Sequence, residues 1–171
     1  MPGLVEYLFN YLAHVHNSLT TRGAGASGIL SYAQATELGY MVADVDSLPG
    51  SQAPSQAYWH SMCNTASAEC ASQMENYRAQ QWAAKSPEGL ARLLHLDQDS
   101  FAPQHSGGQF YDGFKSVGQL FSHIWSDTMP GAALQTELVQ RSAIIIRSYD
   151  QNCGGCIYNW AAPPARSRLI R

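Results

Sequence analysis

The sequence predicts an all-α domain, a compact helical bundle. Three observations carry that expectation. Apolar residues recur at helical spacing in one segment after another. Helix-start and helix-stop residues stand at the ends of those segments. No stretch alternates apolar and polar residues in the manner of a half-buried strand.

The elements follow in order. Residues 3–16 place Leu4, Tyr7, Leu8, Tyr11, Leu12 and Val15 on a helical period. Residues 20–28 hold three glycines and read as a loop. Residues 29–46 read as a second helix, stopped by Pro49-Gly50. Residues 51–54 form a turn, and Pro54 starts a short helix through Met62. Residues 67–85 are rich in alanine and glutamine, which favours helix. Ser86 and Pro87 are a cap and a first-turn proline, leading into a helix over 90–99. Residues 103–108 read as loop, 110–127 as helix despite their glycines, and 132–149 as the last helix. Residues 161–171 form a basic, loosely held tail behind a single domain over 1–160, with no internal repeat.

The length of 171 residues suits one core. The formal charge, 10 − 13 = −3, excludes a broadly basic nucleic-acid binder. Charged residues make up 13%, half the usual share of about 25%, and 45% of the chain is hydrophobic, too much for a disordered chain. The most apolar run, residues 143–146, is far shorter than the ~20 residues of a membrane-spanning helix. The N-terminal residues lack the pattern of a signal peptide, so the expectation is a cytoplasmic protein or a piece of a longer exported chain.

Cys153 and Cys156 have CxxC spacing, and Cys63 and Cys70 are seven apart. A zinc knuckle needs a second close pair, and a thioredoxin-like motif needs a βαβ context. Neither is present. The cysteines therefore read as structural, forming one or two disulfides if the protein is exported and free thiols if it is not.

The histidines and acids form a constellation. His95 and Asp99 are four apart on one helix face, and His123 and Asp127 repeat that spacing. His105 follows Asp99 by six, after Pro103. Asp46 and His60 flank the Pro-Gly turn. Imidazole and carboxylate are zinc ligands, and a carboxylate has two oxygens with which to bridge two metals. A single such pair is ordinary on a helix surface. The assembly of pairs predicts a multi-zinc cleft into which several helices project ligands.

The segment from His95 through Asp99 and Pro103 to His105 resembles the HxxxDxxxPxH segment of the zinc-dependent phospholipase C and S1/P1 nuclease superfamily, closer to the phospholipase branch. Upstream Asp46 and His60 and downstream His123 and Asp127 match the family order, so the resemblance spans about residues 14–127. It implies that Asp46, His60, His95 and Asp99 hold one zinc. It implies that Asp99 bridges to a second, held with His105, His123 and Asp127. Asp46 would be the general base. A third zinc in the family uses a terminal tryptophan and a histidine. Here residue 1 is Met and the first tryptophan is Trp59, so His16, or in second place His14, is what remains of that site. The resemblance thus implies two zincs and leaves the third in question.

The segments 44–52 and 122–127 also resemble C-terminal toxin domains of bacterial Rhs-repeat proteins. That resemblance implies an antibacterial domain secreted, or delivered into another cell, as part of a longer chain, with an immunity protein as partner. The implied activity is phosphodiester hydrolysis of phospholipid headgroups, with transient contact at a membrane surface and no transmembrane segment. A zinc nuclease acting on single strands is the alternative on the same fold, and a non-catalytic helical domain with structural metal is the alternative from another class. Tyr58, Trp59, Trp82, Phe110, Tyr111, Phe114, Phe121 and Trp125 are candidates for substrate contact. The only lysines, Lys85 and Lys115, leave little cationic surface for a nucleic acid.

Overall fold

The structure is a computed structural model that describes residues 2–116, 118–119, 122–123 and 131–161, with side chains described from Ala13 onward except that of Ser67. The helices are α1 (Pro2–Ser27), α2 (Tyr32–Asp44), α3 (Ser67–Ala84), α4 (Pro87–Asp99) and α5 (Ala132–Asn152), with 3-10 turns at Val45–Ser47 and Pro54–His60. The fold is all-α. Among the described residues the only β pairing is a single bridge between Cys63 and Phe110.

α1 packs along α2 and α5, and α4 fits against α2, α3 and α5. The core between them contains Leu38, Val42, Leu90, Leu94, Ile146 and Tyr149, all inaccessible to solvent. Tyr149 spans the junction with its polar end satisfied. Its hydroxyl donates to the Gln81 carbonyl at 2.8 Å and accepts the Ser86 N–H at 3.1 Å, while its ring stacks on Trp82. α4 starts as its sequence dictates, with the Ser86 hydroxyl accepting the Gly89 N–H and Pro87 in the first turn.

Several expectations are corrected. The glycine-bearing stretch 20–28 is not a loop, because α1 continues to Ser27. Tertiary contact overrides propensity here. A Cβ on Gly23 would lie 2.5 Å from Ser142 Cβ and 3.0 Å from the Val139 carbonyl, so the missing side chain is what lets α1 meet α5. α2 begins at Tyr32 rather than residue 29, because Ser31 and Gln34 form a reciprocal capping box. It ends at Asp44, and Asp46 stands in the following 3-10 turn. The segment opened by Pro54 is 3-10 rather than α-helix.

The helix expected over 110–127 is absent from residues 110–116. The Cys63 N–H bonds the Gln109 carbonyl and the Tyr111 N–H bonds the Cys63 carbonyl, so this backbone is committed to bridging. Residues 118–119 and 122–123 are helical, opened by Ser116, whose hydroxyl accepts the Gln119 N–H. Asp127, Phe121 and Trp125 lie outside the described residues, as does the tail beyond Ala161. Both cysteine pairs are disulfides, Cys63–Cys70 and Cys153–Cys156. No described helix is long and apolar enough to cross a membrane.

The α1–α5 contact gives a contrast between two helical glycines. Gly23→Ala is expected to lose about 1–3 kcal/mol by overpacking. Gly25→Ala, with nothing within 4 Å of its new methyl, is expected to gain up to about 1 kcal/mol of helix propensity. Urea denaturation of both variants checks this, and equal effects would contradict the close approach.

Candidate metal centre

Five segments converge on the Asp99 carboxylate. α4 supplies Asp99 and His95 from one face, α1 supplies His16, and the turn after α2 supplies Asp46. The Asp46 carbonyl is gripped by the Ser51 hydroxyl at 2.6 Å and the Gln52 amide at 3.2 Å, which fixes that turn. His60 ends the 3-10 turn Pro54–His60, where Ser61 takes the left-handed conformation and reverses the chain. His105 comes from the loop after α4. The disulfide anchors Cys63 to α3, and Gly108 passes against its sulfur with a φ of +69° that a side chain would strain.

Asp99 is 4% exposed, His95 0% and His60 3%, so the cluster is shut away from bulk water. Asp99 Oδ2 lies 3.1 Å from both His60 Nδ1 and His95 Nε2, and 3.8 Å from His105 Nδ1. Asp99 Oδ1 lies 3.3 Å from His16 Nε2. Asp46 closes the other side, with Oδ1 3.5 Å from both His60 Nδ1 and His95 Nε2, and Oδ2 3.9 Å from His16 Nε2. His95 Nε2 and His60 Nδ1 are 3.0 Å apart, and His105 Nε2 and His123 Nε2 are 2.9 Å apart.

Two rings are fixed in orientation by the main chain. His95 Nδ1–H donates to the Val42 carbonyl at 3.1 Å, and His105 Nδ1–H donates to the His60 carbonyl. A carbonyl oxygen only accepts, so each ring carries a proton on Nδ1 and turns Nε2 inward, the nitrogen a neutral imidazole would offer to a metal.

Two triads have the proximity a metal ion requires, His16 with His95 and Asp99, and Asp46 with His60 and His95. In each, the donor atoms lie within 4.8 Å of one another. The donor set of imidazoles and carboxylates suits zinc, whose tetrahedral ligands stand about 3.3 Å apart for bonds of about 2.0–2.1 Å. Asp46 Oδ2 is buried with no hydrogen-bond partner, an unexplained oxygen unless a cation or proton meets it. These residues fit a metal ion.

Charge supports the same reading. Burial alone pushes the His16 imidazolium down, but the hydrogen bond and charge of Asp99, with the charge of Asp46 and the Gln98 bond, outweigh it and hold His16 at about 9. Burial works to raise Asp99, and the charges of His95 and His105 with hydrogen bonds from His16 and His60 outweigh it, leaving the carboxyl well below its ordinary value. The cluster calls for positive charge, as protons or as a cation.

The placement of the expected residues can now be given. His16, Asp46, His60, His95 and Asp99 are gathered at one point, with His105 beside them and His123 beyond it. Asp127 lies outside the described residues. The resemblance sets His16 apart in a third site, but here it is a direct neighbour of Asp99. His14 is exposed on the other side of α1 and takes no part. Sequence reasoning missed Gln98, buried one residue before Asp99, whose Oε1 accepts the His16 Nδ1–H at 2.8 Å. It also missed the Val42 and His60 carbonyls.

Comparison of the chain with family models, curated proteins and solved structures finds no match.

Beside His123 opens a pocket of about 240 Å³, lined by Met62, Gln104, Phe110, Tyr111, Asp112 and Phe114 among others. Phe110 is 68% exposed at this pocket. Of the other aromatic candidates, Tyr58 and Trp59 pack on Tyr77, and Trp82 belongs to the core.

The His16–Asp99 pair gives a pH dependence to the metal-free protein. A histidine whose folded pKa is raised stabilises fully below its unfolded value of 6.5, and the contribution fades as pH rises through about 9. Asp99, depressed, contributes above 3.8 and loses that contribution as pH falls below it. In chelator-treated protein, the stability difference between wild type and His16→Gln is expected to be large near about pH 6 and to shrink by about pH 9. Denaturant titrations at both values check it, and a difference that grows with pH contradicts the ion pair.

Proposed function

We propose that this chain is a zinc-dependent phosphodiester hydrolase of phospholipase C type. The observation that carries the reading is the buried Asp99 carboxylate ringed by His16, His60, His95 and Asp46, and linked through His105 and His123 to an aromatic pocket. Two zincs are proposed. One would be held by Asp46, His60, His95 and Asp99, with His16 beside Asp99 Oδ1. The other would be held by Asp99, His105, His123 and Asp127. Bound zinc supplies Lewis acidity toward phosphate oxygens and acidifies a water near neutral pH.

The chain's own residues do the rest. Asp46 Oδ2 makes no hydrogen bond, and that oxygen takes the proton from the attacking water. Asp99 is less suited to this task, because both its oxygens lie within 3.3 Å of histidine nitrogens, whereas Asp46 Oδ2 stands 3.9 Å from His16 Nε2. The Val42 and His60 carbonyls hold the His95 and His105 rings in place, so the ligand set is ordered before substrate arrives. Phe110, Tyr111 and Phe114 offer aromatic faces to a cationic or apolar headgroup, and exposed Phe110 gives the site a foothold at a lipid surface.

The nuclease alternative uses the same cluster and would stack a base on Phe110. The structural-metal alternative is disfavoured by the pocket and by the absence of thiolate, since all four cysteines are in disulfides. Those disulfides suit an oxidising destination. With the resemblance to Rhs toxin domains, they support a secreted or delivered antibacterial domain restrained by an immunity partner.

The test is hydrolysis of phosphatidylcholine vesicles and of single-stranded DNA in parallel, with and without chelator. Release of phosphocholine that stops with chelator is expected. DNA cleavage without lipid hydrolysis would establish the nuclease instead, and neither activity in zinc-loaded protein would leave the structural reading. Asp46→Asn is expected to keep its zinc and lose turnover by about 10²-fold or more. Asp99→Ala is expected to lose both zinc and turnover, and an active Asp99→Ala would break the assignment.

A further inference from the structure

His16 differs from its neighbours in what holds it. His95 and His105 are oriented by main-chain carbonyls, whereas His16 Nδ1 faces a side-chain amide, Gln98 Oε1, at 2.8 Å. An amide can present either its oxygen or its NH₂ group. Gln98 is 4% exposed, and its Nε2 donates to Thr20 Oγ1 of α1 at 2.9 Å and to Ser142 Oγ of α5 at 3.4 Å. Thr20 is 0% exposed and Ser142 1%. Three helices thus meet in a buried polar network that ends on the His16 ring. Tying the helices together needs only the two hydroxyls and the amide NH₂. The amide oxygen is left for His16.

We propose that Gln98 is the positioning residue of His16, holding the proton on Nδ1 so that Nε2 is delivered bare to the metal beside Asp99. This rests on the zinc reading above and names the residue that decides whether His16 is a ligand. With the amide turned over, its NH₂ would require a lone pair on Nδ1. The imidazole proton would then sit on Nε2 and donate to Asp99 Oδ1, 3.3 Å away, and His16 could not ligate. In the structure Thr20 and Ser142 accept from the amide NH₂, and its oxygen faces His16 in the ligating orientation. Sequence position adds to the argument. Gln98 and Asp99 are consecutive on α4, so one turn of helix sets both the metal-bridging carboxylate and the group that aims a second ligand at it.

The test reads the tautomer itself. Two-bond ¹⁵N NMR of histidine-labelled protein loaded with zinc is expected to show His16 protonated on Nδ1 in the wild type. The same is expected in Gln98→Glu, whose carboxylate accepts the same proton and to which both hydroxyls can donate. Gln98→Met keeps the bulk and removes the acceptor. It is expected to lose the single His16 tautomer and to bind zinc about 10- to 100-fold more weakly in competition with a chelator, the usual loss for a partner of this kind. Wild-type His16 protonated on Nε2 overturns the proposal. So does Gln98→Met with unchanged tautomer and affinity. If Gln98→Met does not fold, the wild type and Gln98→Glu decide: a zinc-loaded Gln98→Glu in which His16 has lost the Nδ1 proton overturns it. A wild type that takes up no zinc overturns the zinc reading together with this one, whereas zinc uptake with the wrong His16 tautomer overturns this one alone.

Discussion

A carboxylate with 4% exposure has to be neutralised where it lies, and the arrangement of the chain around Asp99 answers that requirement. Its two oxygens meet three histidines from three separate segments within 3.3 Å. Bringing those segments together sets much of the architecture. α1 must run on past its glycines to lie against α5, and α2 must end at Asp44 so that Asp46 can turn inward. The chain at His60 must be held near His105, which the Cys63–Phe110 bridge and the His105 bond to the His60 carbonyl accomplish. Without a cation, protons on the histidines do the neutralising. A cation held here would take the place of charge the fold already requires, and its binding would be coupled to folding.

The histidine–aspartate cluster and the aromatic pocket come from different parts of the chain. His16, Asp46, His60, His95 and Asp99 sit where helices and short turns fix them, whereas the aromatic residues of the pocket, Phe110, Tyr111 and Phe114, stand on irregular chain. The disulfides remove the thiolates that a closed structural zinc site would use, so imidazole and carboxylate are the groups that could hold an ion.

The parts that could be read from the sequence were those governed by local rules. Ser86-Pro87 announced α4, and the four-residue step from His95 to Asp99 placed both on one face. Asp46 could be named as a ligand, although it stands in the 3-10 turn after α2 rather than at the end of a helix running to residue 46. What escaped depended on distant contacts. Gly23 looked like a loop residue because its use, the close approach of Ser142, lies 119 positions away by subtraction of the numbers, 142 − 23. Residues 110–116 looked helical because the partner of Phe110, Cys63, lies 47 positions away, 110 − 63. Gln98 carried no signal at all. A glutamine on a helix is ordinary, and only Thr20, Ser142 and His16 around it make it informative. His16 was assigned to a separate site because family order does not show how close α1 comes to α4.

Anomalous diffraction at the zinc absorption edge, on crystals grown with added zinc, locates the metal most directly. The expected result is a peak about 2 Å from His95 Nε2 and from a carboxylate oxygen of Asp99, bond lengths normal for zinc. Crystals of folded protein with no peak at Asp99, or with zinc only at surface sites, would contradict a metal centre at this cluster.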